Sequence, residues 1–271
     1  MIDTAQYEFI RNLVYDQSRI NLGPDKKELV CSRLRKRLRA LKLDSIADYC
    51  NFLRSPSGED EVTGLLDAIS TNVTDFFREA NHFDFLTSAI IPEWLKNRKQ
   101  KDTFRVWSAA CSSGEEPYTI AIVLAEALAG TSEGWSVLAT DISNRVLEKA
   151  GQAVYRQERL KLPHAELLRR YFQKGVGSWE GHFRVKNSLR EKVEFRRVNL
   201  IQWPYPFTDR FNAIFCRNVM IYFDRQTQEQ LIPRLTEQLA PGGHLFVGHS
   251  ESLVGIEHGL VCLRPSVYRK K

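Results

Sequence analysis

The sequence predicts an α/β fold, a doubly wound and largely parallel sheet, preceded by a small all-helical domain. Three observations carry this. From about residue 104 onward, short apolar runs alternate with helix-patterned stretches, the signature of successive βα units. The stretch Phe104 to Ile122, FRVWSAACSSGEEPYTIAI, passes from a strand through a turn of small residues into an amphipathic helix. That is where open α/β sheets bind nucleotide-like ligands. Before it, residues 1 to about 70 show helical spacing only, broken at Asn21-Leu22-Gly23-Pro24 and Ser55-Pro56-Ser57-Gly58.

The elements follow in order. Helices are expected at Asp3–Gln17, Lys26–Lys42, Ile46–Leu53 and Glu59–Ile69. The helical domain is drawn as 1–75 and the α/β domain as 76–271, with 79–101 as a connecting segment. Strands are expected at Phe104–Ser108, Ser136–Thr140, Val193–Val198, Phe211–Phe215, Gly243–Gly248 and Leu260–Arg264, with a last piece near Tyr268. Helices Glu115–Ala129, Asn144–Ala150 and Arg225–Leu239 separate them. Residues 159–192 interrupt the alternation. They hold Gly175, Gly177 and Gly181 and the alternating run His182–Lys186, which suggests an inserted antiparallel flap with that run as its exposed edge.

Composition narrows the class. A hydrophobic content of 43% and a charged content of 27% are those of a globular domain. The N-terminus MIDTAQYEF shows no signal-peptide pattern, and the most apolar helix, Thr119 to Ala129, is too short to span a bilayer. The five cysteines are odd in number and form no C-x-x-C, so small buried thiols in a reducing cytoplasm are expected. The six histidines lack ligand spacing, and no metal is expected. The net charge of +6 is uneven: Arg33, Arg35, Lys36, Arg37, Arg39 and Lys42 crowd one helix, with only Glu28 near in sequence. A polyanionic partner is expected there, a nucleic acid or an acidic protein surface.

The turn after the first strand lacks G-x-G-x-x-G and places Glu115 and Glu116 where a pyrophosphate needs bare N–H groups. The pocket suits a ligand with cationic and hydroxyl groups, and S-adenosylmethionine fits better than NAD. Asp141, 27 residues after Gly114 at the end of the second strand, is placed to accept from ribose hydroxyls; the alternative is a helix N-cap, for which Ser143 competes. Asn199 closes the third strand, and Arg217, Asn218 and Tyr222 follow the fourth, polar groups at the carboxyl ends that line such a crevice.

Five ordered motifs then converge. They are Ser70–Glu79 (STNVTDFFRE), WSAACSSGEEPYTIAI, ATDIS, FCRNVMIYFD, and Ala240-Pro241-Gly242-Gly243 with Gly248-His249-Ser250-Glu251. On these the chain resembles the chemotaxis receptor glutamate methyltransferases, the CheR family, over nearly its whole length. The resemblance implies a Rossmann-like class I methyltransferase sheet, a helical N-terminal domain and a β-subdomain insert. It implies S-adenosylmethionine as cofactor, S-adenosylhomocysteine as product, and contacts from Asn72, Thr74, Arg78, Glu116, Asp141, Asn199, Leu200, Arg217 and Asn218. The choice of Glu116 over Glu115 rests on the resemblance alone. Arg78 and Tyr222 are expected to hold the substrate carboxylate. Arg33, Arg35, Lys36, Arg37 and Arg39 would dock acidic receptor helices, and Gly175 and Gly177 would mark a tether for a receptor C-terminal peptide. The enzyme is expected to be a monomer that reaches membranes only through receptors. The alternatives are a nucleic-acid methyltransferase or a non-catalytic docking protein.

Overall fold

The computed structural model describes residues 2–98, 102–132 and 134–271. Two compact units make up the chain: residues 1–71 with 219–228, and residues 72–218 with 229–271. The division falls after Thr71 rather than at the expected residue 75. Residues 72–79 bond to the sheet unit: Phe77 N–H donates to Thr119 Oγ1, and Ser112 Oγ donates to the Asn72 carbonyl.

The first unit is helical: α1 (Thr4–Ser18), α2 (Lys27–Leu41), α3 (Ile46–Arg54) and α4 (Glu59–Ile69). Asp3 caps α1 in a capping box with Gln6, and Ser45 caps α3. Their apolar stripes bury Tyr7, Ile10, Val14, Val30, Leu34, Tyr49 and Leu65 against one another. Residues 219–228 return to this unit, where Asn21 N–H donates to the Tyr222 carbonyl and the Tyr15 hydroxyl donates to Asp224.

The second unit opens with α5 (Asn81–Phe85), a π-helical turn, and α6 (Ile91–Asn97). The sequence reading took this stretch as a connector. Its apolar residues Phe83, Leu86, Ile90 and Ile91 are buried instead, and they cover the sheet as a helix does. Residues 99–101 of the expected connector lie outside the described residues. There follow β1 (Thr103–Ala109), α7 (Glu115–Ala127), β2 (Gly134–Asp141), α8 (Asn144–Gln152), β3 (Val154–Arg156), α9 (Ala165–Tyr171), β4 (Phe172–Lys174), β5 (His182–Val185), α10 (Asn187–Arg190), β6 (Val193–Arg197), β7 (Phe211–Cys216), α11 (Arg225–Gln238), β8 (Leu239–Val247), β9 (Leu260–Arg264) and β10 (Val267–Lys270). The first turn of α11 groups with the first unit.

Seven strands form one sheet in the order β6-β2-β1-β7-β8-β10-β9. The first five are parallel and β10 is antiparallel to both neighbours. This is the expected doubly wound sheet, and its order reverses between β1 and β7, the place at the carboxyl ends of the strands where such sheets bind ligands. Phe215 and Phe246 stack at 4.3 Å in its core, and a fully buried Trp107 packs against Tyr205, Phe207 and Phe211. Among the described residues no helix is long and apolar enough to cross a membrane.

The insert forms a separate antiparallel sheet ordered β3-β5-β4. It begins at Val154, five residues before the expected boundary, because the chain leaving α8 pairs at once with β5. The run His182–Lys186 was expected at the edge. It supplies the central strand, with β3 and β4 as short edges. The cysteines carry no disulfide; Cys262 is exposed, whereas Cys50, Cys111 and Cys216 are buried as expected.

Candidate active site

The turn between β1 and α7 is built from residues in unusual backbone states. Ala110 (φ 67°) and Ser112 (φ 51°) are left-handed without being glycine, and Gly114 has φ 95°. A Cβ on Gly114 would stand 2.7 Å from the Tyr155 hydroxyl and 2.9 Å from Ala150 Cβ, so only glycine lets the turn close against α8. Backbone strain gathered at one loop marks a site where position matters more than local stability.

Asp141 ends β2. Its carboxylate accepts from Ser112 N–H at 2.9 Å and from Ser143 N–H at 3.0 Å. Those bonds fix the group at the end of β2. Ser143 takes the N-cap of α8, accepting from Val146 N–H, so the competing role for Asp141 belongs to its neighbour. The Asp141 carbonyl accepts from Val198 N–H at 3.0 Å, which brings Asn199 and the buried Leu200 to the same end of the sheet.

The two adjacent glutamates separate cleanly. Glu115 is buried, accepts from Ser113 Oγ at 2.7 Å, and pairs with Arg159 at 3.1 Å. Glu116 accepts from Ser108 Oγ at 2.6 Å and pairs with Arg217 Nε at 3.0 Å. Burial pushes the Glu116 carboxyl above its ordinary range, and Arg217 only partly offsets this.

Arg217 is the hub. Its Nη2 donates to the Arg78 carbonyl at 2.6 Å and its Nη1 meets His82 Nδ1 at 3.1 Å. A guanidinium only donates, so His82 accepts at Nδ1 and carries its proton on Nε2. Burial first, and Arg217 second, push the His82 pKa down to about 3. Glu79 accepts from Asn218 Nδ2 at 3.2 Å. Burial pushes Glu79 up, but Arg217, the Asn218 amide and the His249 N–H together hold it below the usual carboxylate range.

Glu79, His82 and His249 bring one ligand atom each within 4.8 Å of one another. The His82 Nδ1 lone pair is occupied by Arg217. The cluster is therefore organised around Arg217 rather than around a metal ion.

The segment carrying Asn72, Thr74 and Arg78 has neither helix nor strand. Phe77 (φ 54°) and Glu79 (φ 58°) are both left-handed. Arg78 is half-buried, donates to the Val73 carbonyl at 3.0 Å, and has no carboxylate partner among the described residues. Asn218, also left-handed at φ 58°, has its N–H held by Glu251 Oε2 at 2.8 Å; the same oxygen accepts from Gly248 N–H at 2.6 Å. Glu251 thus ties the ends of the adjacent strands β7 and β8. Tyr222 belongs to the first unit.

The structure links Asn72 to Asp141 through Ser112, and Arg78, Glu116 and Asn218 to one another through Arg217 and Glu79; Thr74 is held by Arg159, and Asn199 and Leu200 follow Val198, which bonds Asp141. It adds Ser108, Glu79, His82, Arg159 and Glu251. Of these, Ser108, Glu79 and Glu251 stood inside quoted motifs; Arg159 lies in the insert and carried no signal.

The residues fit S-adenosylmethionine on two grounds. Among the described residues, Asn72 Nδ2 is a buried donor and Glu79 Oε2 a buried acceptor without a hydrogen bond, the latter with Arg217 Nε at 3.9 Å, and a polar ligand could satisfy both. The crevice also gathers three carboxylates, Glu79, Glu116 and Asp141, against two guanidiniums, Arg78 and Arg217, a balance that favours a cationic ligand.

Residues 5–70 match the family described as CheR methyltransferase, all-alpha domain, and residues 72–267 match CheR methyltransferase, SAM binding domain. The chain is 44% identical to the chemotaxis protein methyltransferase of Salmonella typhimurium, over 93% of this chain and 85% of that one. It is 41% identical to the Escherichia coli chemotaxis protein methyltransferase, over 98% and 91%. Chemotaxis protein methyltransferase 2 of Pseudomonas aeruginosa is 41% identical over 97% and 91%. With a strained turn, an ordered acid and a buried arginine hub at the reversal point of this sheet, the chain belongs to the CheR methyltransferase family and is an S-adenosylmethionine-dependent methyltransferase.

Proposed function

We propose that this protein methylates glutamate side chains of chemotaxis receptors, giving glutamyl methyl esters. The observation that carries the reading is Arg78. It is a half-buried guanidinium beside the Arg217–Glu116 network with no carboxylate of its own, which suits it to receive one. Relatives named chemotaxis protein methyltransferases support the substrate class.

S-adenosylmethionine supplies a methyl group on a sulfonium. A glutamate carboxylate is already ionised near neutral pH, so no side chain has to remove a proton from it. The protein's part is to align and to exclude water. Arg78 would bind the carboxylate, and the part of Tyr222 in holding it rests on the resemblance alone. Asp141 would hold the ribose, Asn199 and Leu200 the adenine, and Glu116 rather than Glu115 the cationic end, since Glu115 is committed to Arg159. Asn72, Thr74, Arg217 and Asn218 would complete the pocket.

Docking is assigned to the exposed residues Arg35, Lys36, Arg39 and Lys42 of α2. Arg33 and Arg37 sit on the same helix but are engaged internally. Arg33 donates to the carbonyls of Ala68, Ile69 and Ser70, and Arg37 grips Glu61 through two nitrogens. For a receptor C-terminal peptide, the edge β4, continued at Gly175 by its N–H bond to the His182 carbonyl, offers a place to add a strand.

The test is transfer of labelled methyl from S-adenosylmethionine to receptor-bearing membranes. Base-labile label on receptor glutamates is expected, and Arg78→Ala should lower kcat/KM by about 10–100-fold. Label in nucleic acid, or none in receptors, overturns the reading.

A further inference from the structure

The insert does more than offer an edge to a peptide. Its first turn, Gln157–Arg159, is tied to the flap by the Gln157 N–H bond to the Gly181 carbonyl at 2.9 Å. From that turn Arg159 reaches out of the flap. Its Nη2 donates to the Thr74 carbonyl at 2.5 Å and to Glu115 Oε1 at 3.1 Å, and its Nη1 stands 3.8 Å from Asp75 Oδ1. One guanidinium thus joins the insert, the buried acid at the start of α7, and the middle of the segment 72–79.

That segment cannot hold itself. It has no regular hydrogen bonding, and it carries two left-handed residues that need support from outside. Ser112 holds its start at Asn72, Thr119 holds Phe77, and Arg217 holds Arg78. Between the first and second of these anchors, Arg159 is the side chain that fixes the Thr74 carbonyl. One nitrogen, Nη2, serves both the Thr74 carbonyl and Glu115 Oε1 while Nη1 stays near Asp75, so a lysine, with one compact ammonium, would keep only part of this set.

We propose that Arg159 is a positioning residue for the cofactor, a latch by which the insert holds Thr74 and Asn72 in place. This rests on the reading of those two residues as cofactor contacts. It gives the insert a part in cofactor affinity separate from any peptide tether.

Calorimetric titration of the purified full chain with S-adenosylmethionine tests this without any receptor. Arg159→Gln should weaken binding about tenfold, the scale of losing one charge-assisted hydrogen bond. Arg159→Lys should fall between it and the natural chain. Lys161→Gln, which removes only the exposed pair with Asp75 at 3.1 Å, should change affinity less than about twofold. With receptor and saturating cofactor, Arg159→Gln should raise KM for S-adenosylmethionine while kcat stays within about twofold.

Unchanged affinity in Arg159→Gln, with Asn72→Ala or Thr74→Ala still weakening it, removes the latch and leaves the contact reading standing. Unchanged affinity in all three removes both. Should Arg159→Gln lose thermal stability, the double variant Glu115→Gln/Arg159→Gln relieves the unpaired buried charge. Restored stability with weak binding supports the latch; binding restored along with stability overturns it.

Discussion

At Glu116 one carboxylate faces two opposing demands. Burial raises its proton affinity, while a cationic ligand requires it ionised. The sign follows directly. As pH falls through the raised pKa the charge is lost, so affinity for S-adenosylmethionine should fall in an acid range above that of an ordinary glutamate. Glu116→Gln should bind weakly at every pH and show a flatter profile, measured as the dissociation constant against pH. A natural enzyme whose affinity is constant through that range, or a Gln variant that keeps the slope, would remove Glu116 from the cationic subsite. Here the sequence was readable only in part. Two adjacent acids announce a site, but what each one bonds to is not local: the partners of Glu116 are Ser108 and Arg217, 8 and 101 positions away. The place of Asp141 at the end of a strand was easier to read, because a strand end and a βα spacing are local properties.

The helix α2 shows the same limit one level up. Its apolar stripe and its crowd of cations are visible in the sequence. That Arg37 is internal is not, since its acceptor Glu61 sits 24 residues on, with the Tyr49 hydroxyl donating to the same carboxylate at 2.6 Å. The two kinds of arginine should therefore separate by experiment. Charge reversal at Arg35 and Arg39 should cut receptor methylation most at low salt, where exposed pairs are least screened, and leave unfolding midpoints nearly unchanged. Arg37→Ala strands a buried carboxylate and should cost about 3–5 kcal/mol of stability in denaturant titration. Equal stability in Arg37→Ala would mean that Glu61 is neutralised by other means. The flap resisted reading for a related reason. An alternating run fixes which residues point the same way, but not whether a strand lies at the centre or at the edge, because that depends on partners elsewhere in the chain.

The whole sheet was legible because alternation of strand and helix allows few right-handed topologies. Its global stability carries a pH signature. His82 is held down to about 3 and His244 to about 4, in both cases chiefly by burial. Both stay neutral in the folded state while the unfolded chain takes up protons near pH 6.5. Their contribution is thus intact above about pH 6.5 and is lost as pH falls toward those values, at up to about 1.4 kcal/mol per pH unit for each histidine. Urea midpoints should drop across this window, and His82→Asn should shallow the decline; an unaltered slope would show that His82 is not the group responsible. A different consequence follows from residues 219–228 grouping with the first unit, where Tyr222 receives Asn21 and Asp224 receives Tyr15. The units interleave along the gene. A stop codon or protease cut near residue 71 would not yield two self-sufficient pieces: the shorter fragment would lack ten residues of its own body, and the longer would carry them as an orphan loop. Domain swaps between relatives should therefore exchange both stretches together, as one two-part cassette.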